Sequence, residues 1–286
     1  MQTDFNREIS WWDAKASKEE SDMADESINR VLRWREIERH LDGVKSILDI
    51  GAATGVFSIP LARRGFKVTH LDFSPAMLEI ARLKADGIKN IEFVEANSNN
   101  LPYADRSFDL VINMDGAISF CGSDANRALA EACRVTGKVL IISVSNRAAM
   151  IPGWIRTSIN SFSRFIPAVK EMLENGLWHQ DQFPENAILS KGCTMGYLGT
   201  MKAFLPDELR TVLESQHMEI TRLGGIGSLA CLCGDEAVKR ITSDHNLLSE
   251  FADMCEYYDK YIMPEGPGTW QRAGLIAVAT PSARSH

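Results

Sequence analysis

No apolar stretch in this 286-residue chain approaches the roughly 20 consecutive residues that cross a bilayer. Even Val139 to Val144 is broken by Ser143, so no membrane-spanning segment is expected. The opening MQTDFNREIS has neither a basic region nor an apolar core, so no secretory leader is expected and the chain reads as cytoplasmic. Basic runs are also missing: 31 Lys and Arg stand against 38 Asp and Glu, a net charge of −7. A nucleic-acid binder needs a basic face to displace counterions, so that partner class is set aside. Cysteine is sparse and scattered: Cys121, Cys133, Cys193, Cys231, Cys233 and Cys255 read as reduced core residues. Cys231 and Cys233 form a CxC pair, but no second pair at zinc-site spacing follows, and no metal site is expected. Repeats and low-complexity tracts are absent as well.

What is present is an alternation. From Ser27, Ile28, Val31, Trp34, Ile37 and Leu41 recur at helical spacing until Gly43. Then come short apolar runs separated by helical ones: strands at Ser46–Ile50, Lys67–Asp72, Ile91–Glu95, Phe108–Met114 and Lys138–Ser145, with helices at Val56–Arg64, from Ser74-Pro75 towards Gly87, and at Asp124–Arg134. Near-continuous apolar strands between helices predict a parallel sheet covered on both faces, a doubly wound α/β domain. The pattern breaks between Ala148 and Leu205 and resumes with a helix from Pro206, a strand at Glu219–Leu223, one or two helices over Asp235–Ile262, and a last strand at Leu275–Thr280. Three divisions are expected: an N-terminal helical lid segment over 1–43, the α/β domain over 44–147 and 206–286, and an inserted, mainly helical cap over 148–205.

The chemistry gathers at strand ends. The first strand runs into Asp49-Ile50-Gly51-Ala52-Ala53-Thr54-Gly55 before a helix. Glycines there let backbone N–H groups approach a ligand. Asp72 closes the second strand, where a carboxylate can accept two ribose hydroxyls, and Asn97-Ser98 follows the third, where polar atoms can meet an adenine edge. A nicotinamide fingerprint needs G-x-G-x-x-G, which this loop lacks.

The loop resembles the first motif, D-x-G-x-G-x-G, of class I S-adenosylmethionine-dependent methyltransferases of the small-molecule type. The likeness continues through HLDFSPAMLEIAR, NLPYADRSFDLVI, ALAEACRV, KVLIISV and FLPDELRTVLESQHMEI. It implies a seven-stranded, mostly parallel sheet with an antiparallel last strand, and S-adenosyl-L-methionine as cofactor. By position, Gly51, Ala53 and Gly55 would line its aminocarboxypropyl end and Asp72 the ribose. Phe73, Asn97 and Ser98 would contact adenine, and Asn113 to Gly116, with Met114, would approach the methionine moiety. Trp11 and Trp12 would fold over the cofactor mouth, or else simply anchor the first helix. Ala53 stands where the family has glycine, Asn97 where an acid is common, and Val135-Thr136-Gly137 replaces a longer turn.

Methyl transfer from a sulfonium needs alignment and a dry site, and a base only where the acceptor must lose a proton. Asp115 and His179 are the candidates, against readings as a turn residue and a solvent-exposed loop histidine. Cap aromatics Trp154, Phe162, Phe165, Trp178, Phe183 and Tyr197, with Arg147, Arg156, Arg164 and Lys191, would suit a small, partly apolar, anionic acceptor, or form the cap's own small core. Two other functions stay open: another reaction of the same cofactor, such as aminocarboxypropyl transfer or cyclisation releasing methylthioadenosine, and non-catalytic cofactor binding.

Overall fold

A computed structural model describes residues 3–19, 24–179, 182, 200–264 and 274–282. Seven strands form one sheet in the order β3-β2-β1-β4-β5-β9-β8. They are β1 (Ser46–Ile50), β2 (Lys67–Asp72), β3 (Ile91–Glu95), β4 (Phe108–Asn113), β5 (Thr136–Ser145), β8 (Met218–Ile226) and β9 (Gly274–Pro281). The first five pair in parallel, and β9 runs antiparallel to both its neighbours. Order reverses between β1 and β4, the switch point where open α/β sheets bind ligands.

Central strands are apolar on both faces because helices cover both. Leu48, Ile50, Val111 and Ile142 face one core and Ile47, Leu110, Ile112 and Ile141 the other, the alternation a pleat imposes. The first face packs on α5 (Ala125–Val135) and α8 (Pro206–Ser215). The second is covered by α2 (Ala24–Glu38), α3 (Ser58–Arg63), α10 (Asp235–Thr242) and α11 (His245–Tyr257). Each fully buried Leu or Ile contributes about 1.5–3 kcal/mol. Ile28, Leu32 and Ile37 of α2 lie in this core. Among the described residues of segment 1–43, α1 (Phe5–Lys15) and the turn after it, with Arg30 of α2, reach the cleft over the strand ends.

Helix α4 (Pro75–Lys84) begins as its sequence dictates, with Ser74 Oγ accepting from Met77 N at 3.2 Å and Pro75 in the first turn. Two local differences appear. Helix α1 forms in a stretch without a clear apolar period, capped by Asp4, whose Oδ1 accepts from Arg7 N. The connection before β5 closes up altogether: Thr136 begins the strand directly, and its Oγ1 donates to Ala132 O at the end of α5 (2.7 Å). Between β5 and α8 lie α6 (Arg147–Phe162), α7 (Pro167–Asn175) and a two-residue pair, β6 (Leu177–Trp178) with β7 (Met201–Lys202). A short helix α9 (Ser228–Cys233) follows β8. Among the described residues, no helix is long and apolar enough to cross a membrane.

Candidate functional site

The loop between β1 and α3 is fixed by its neighbours. Gly51 N and Ala52 N both donate to Leu71 O, at 2.8 and 3.0 Å. Gly51 has φ +67°, and a Cβ there would stand 2.4 Å from that of Ala117, so only glycine fits. Ala53 also adopts a positive φ, 47°, which costs an L-residue about 1–2 kcal/mol. Its N–H donates to Asp72 Oδ2 at 2.8 Å, while Lys84 Nζ donates to Thr54 O at 2.9 Å, so tertiary bonds hold the strained turn.

This loop forms one wall of a cleft of about 940 Å³ over the carboxyl ends of the parallel strands. Asp72 lies in it with each oxygen already oriented: Oδ1 accepts from Ser74 N (2.9 Å), Oδ2 from Ala53 N. Burial pushes its pKa up to about 6. Asp49, at the end of β1, is more deeply enclosed, and burial with the nearby Asp115 and Asp72 carboxylates pushes it up to about 8. Leu71, Phe73, Met77 and Ala96 supply an apolar side beside Asn97 and Ser98. Asn97 Oδ1 accepts from Asn99 N, so N–H donation is what its carboxamide offers the cleft.

The opposite end is ionic. Arg30 and Asp115 line the cleft, their side chains 3.6 Å apart. Asp115, in a left-handed conformation at φ 55°, also meets Arg33 Nη1 at 2.5 Å. Arg33 is buried, and its Nε donates to Ser143 Oγ in the middle of β5 at 3.1 Å. The serine that interrupts the apolar run of β5 is thus the acceptor for a buried guanidinium.

Across the mouth, α1 and the turn after it contribute Phe5, Trp12 and Glu19. The Trp12 ring meets Phe120 edge-on at 4.9 Å and Trp11 at 4.6 Å, and Lys15 Nζ sits 3.8 Å over the Trp11 ring. Three latches hold the segment down. Thr3 Oγ1 donates to Cys121 O (2.8 Å), Thr200 N to Glu8 Oε1 (2.8 Å), and Ser74 Oγ and Ala76 N to Asp13 Oδ1 (2.5 and 3.2 Å).

Gly51, Ala53, Asp72, Phe73, Asn97, Ser98, Met114, Asp115 and Trp12 all line this one cleft. Gly55 lines a neighbouring groove with Arg63 and Lys84 instead, and Trp11 stands behind Trp12. His179 is not among the lining residues; its backbone N–H donates to Gln182 Oε1. Trp154 and Trp178 stack on each other inside the cap, in a small core with Ile166, Val169, Met172 and Met201. Phe165 is exposed and Phe162 partly buried against that core. Phe183, Lys191, Cys193 and Tyr197 lie outside the described residues. Tyr257 and Tyr261 are exposed and pack on each other.

Sequence pattern did not single out Phe5, Glu19, Arg30, Arg33, Phe120 or Cys121. Only Arg33 left a trace, in Ser143.

Residues 47–138 match the family model described as Methyltransferase domain. The chain is 32% identical over 149 residues to a demethylmenaquinone methyltransferase of Paenarthrobacter aurescens, covering 50% of this chain and 56% of that protein. It spans about half the length of the first curated relatives it matches. Its fold is similar to that of a methyltransferase from Methanosarcina mazei (TM-score 0.53, 18% identity, 87% of this chain and 98% of that one). It is equally similar to the cyclase SpnF (TM-score 0.52, 18% identity, 89% and 81%). Residues 47–138 are thus similar to a methyltransferase domain, and the motif order, the sheet order and the cleft agree with the fold of class I S-adenosylmethionine-dependent methyltransferases.

Proposed function

We propose that the protein transfers a methyl group from S-adenosylmethionine to a small-molecule acceptor. The observation that carries this reading is the convergence, in one cleft, of the Gly51–Ala53 turn, Asp72, Phe73, Asn97 and the Arg30–Asp115 pair. The residues fit the cofactor. A carboxylate offers about four lone-pair sites; the backbone N–H groups of Ala53 and Ser74 use two at Asp72, leaving two for a ribose diol. Phe73 and the Asn97 carboxamide suit a flat, polar-edged base. Arg30 suits a carboxylate and Asp115 an ammonium, the two charges of an amino-acid end.

When bound, the cofactor supplies an activated sulfonium. The chain then needs only to align the acceptor and exclude water. Phe5, Trp12, Met114 and Phe120 form the apolar wall suited to that task. Phe120 also packs against the cap core, so the cap shapes the acceptor side from behind. In this reading Trp154 and Trp178 support the wall without touching the acceptor. The similarity to demethylmenaquinone methyltransferases favours a small, largely apolar acceptor.

The test has two stages. S-adenosylhomocysteine should raise the melting temperature and NAD should not; at a hundredfold excess over Kd the gain is about 2.7 kcal/mol. Incubation of the enzyme with cofactor and a metabolite extract should then yield an acceptor heavier by one methyl, with S-adenosylhomocysteine as co-product. A second reading, another reaction on the same fold, is favoured by the likeness to SpnF. Methylthioadenosine as co-product, or acceptor turnover without any methyl gain, would select it.

A further inference from the structure

The cleft carries an excess of negative charge. Glu19, Asp49, Asp72 and Asp115 line it, and Arg30 is the one cationic lining residue among those described. Two of the carboxylates are occupied by the fold: Asp72 holds two backbone N–H groups and Asp115 meets Arg33 and Arg30, while Asp49 lies deepest, 1% exposed, and burial pushes its pKa up to about 8. Glu19 differs in origin, since it comes from the latched N-terminal segment and reaches the cleft from above the sheet.

We propose, on the reading of the cleft just given, that Glu19 faces the cationic end of the cofactor and makes the site select S-adenosylmethionine over S-adenosylhomocysteine. The two ligands differ by one methyl and one positive charge, and share every group assigned above to Asp72, Phe73, Asn97, Arg30 and Asp115. Selection between them must come from residues that sense the sulfonium. An ionised carboxylate on the lid, in a partly dry cleft, is suited to do so. Once the methyl has left, the same carboxylate finds a neutral sulfur. Its desolvation is then uncompensated, and binding of the spent cofactor is weakened, which favours release.

The charges facing Glu19 come from each element packed around it: Lys15 of α1 and Arg30 of α2 attract, Asp115 after β4 and Asp72 of β2 repel. Burial and the two aspartates outweigh the two cations and push Glu19 up to about 7. A cation placed beside it lowers that value, so Glu19 ionises as the cationic cofactor binds. Glu19-dependent selectivity is consequently weak below pH 6, where the carboxyl holds its proton, and full above pH 8.

Calorimetric Kd values for S-adenosylmethionine and S-adenosylhomocysteine, on the wild type and Glu19→Gln at pH 5.5 and 8.5, test this without an acceptor. Comparing variant with wild type at one pH cancels the titration of the ligands and of Asp49 and Asp72. The expected result at pH 8.5 is a preference for S-adenosylmethionine about tenfold smaller in Glu19→Gln, equivalent to a Glu19 pKa one unit lower with the cation bound. At pH 5.5 the two proteins should agree, and Glu19→Asp should restore most of the preference. Should Glu19→Gln not fold, Glu19→Ala supplies the neutral side chain. If both ligands bind and the preference is the same with and without the carboxylate, Glu19 does not face the sulfonium, though the cofactor reading stands. If neither ligand binds the wild type, that reading falls and this inference with it.

Discussion

Asp49→Asn isolates the energetic consequence of a carboxyl group enclosed at the Gly51–Ala53 turn. Asp49 is 1% exposed, and its pKa of about 8 compares with about 3.9 in an unfolded chain. Between those values the folded protein keeps a proton that the unfolded chain has released. The folded pKa is the raised one, so this contribution to stability is whole below about pH 4 and lost as pH rises towards 8. One proton of difference amounts to roughly 1.4 kcal/mol per pH unit, so on the order of 4 kcal/mol disappears between pH 5 and pH 8. Asparagine has nearly the same shape, keeps an oxygen for the Ser58 backbone N–H that Asp49 accepts, and never ionises. The variant should exceed the wild type by no more than about 2 kcal/mol at pH 5 and by several at pH 8. For a chain of this size each kcal/mol moves Tm by about 2–4 °C, so the gap at pH 8 should reach on the order of 10 °C. Calorimetric melts at pH 5, 6.5 and 8 read it directly. Parallel Tm curves for the two proteins would refute the reasoning, because they would mean Asp49 is ionised across the whole range.

Asp72→Ala should weaken S-adenosylhomocysteine binding tenfold or more by calorimetry. It should also cost about 1–3 kcal/mol in a urea melt, because the Ala53 and Ser74 N–H groups lose their acceptor; unchanged affinity would move the ribose site elsewhere. Trp154→Ala and Trp178→Ala should each destabilise by about 3–5 kcal/mol, since both rings are buried, while the folded protein keeps its cofactor affinity. A loss below 1 kcal/mol by urea unfolding would contradict the cap core. Ala53→Gly should stabilise by roughly 0.5–1 kcal/mol, the relief of positive-φ strain less the added freedom of the unfolded chain. A measured destabilisation would show that the Ala53 methyl packs against something that matters.

Local pattern was enough for the sheet domain. Strands such as SILDI, KVTHLD and FDLVIN must be apolar on both faces if helices cover both, and that composition shows in a few residues of sequence. The turn was legible for a similar reason: Gly51 is required by backbone geometry and Asp72 accepts the Ala53 and Ser74 N–H groups that hold the turn, and both sit at predicted strand ends. Resemblance supplied the count of seven strands and the antiparallel last one, which no periodicity contains; their order came only with the structure.

Tertiary structure decided what depends on approach between distant segments. Nothing local singles out Glu19 or Arg30: Glu19 becomes a cleft residue because the segment bearing Phe5 and Trp12 is latched across the sheet by Thr3, Glu8 and Asp13, and Arg30 because α2 packs on the sheet through Ile28, Leu32 and Ile37. For Trp154 and Trp178 the sequence left acceptor contact and a core of the cap both open; they lie against each other in that core, because a short inserted subdomain must bury its largest side chains to be stable. Charge and hydrophobicity belong to single residues, so the sequence states them. Which charge meets which ligand is set by contacts across more than a hundred residues, such as Thr3 with Cys121 and Glu8 with Thr200, and those exist only once the chain has folded.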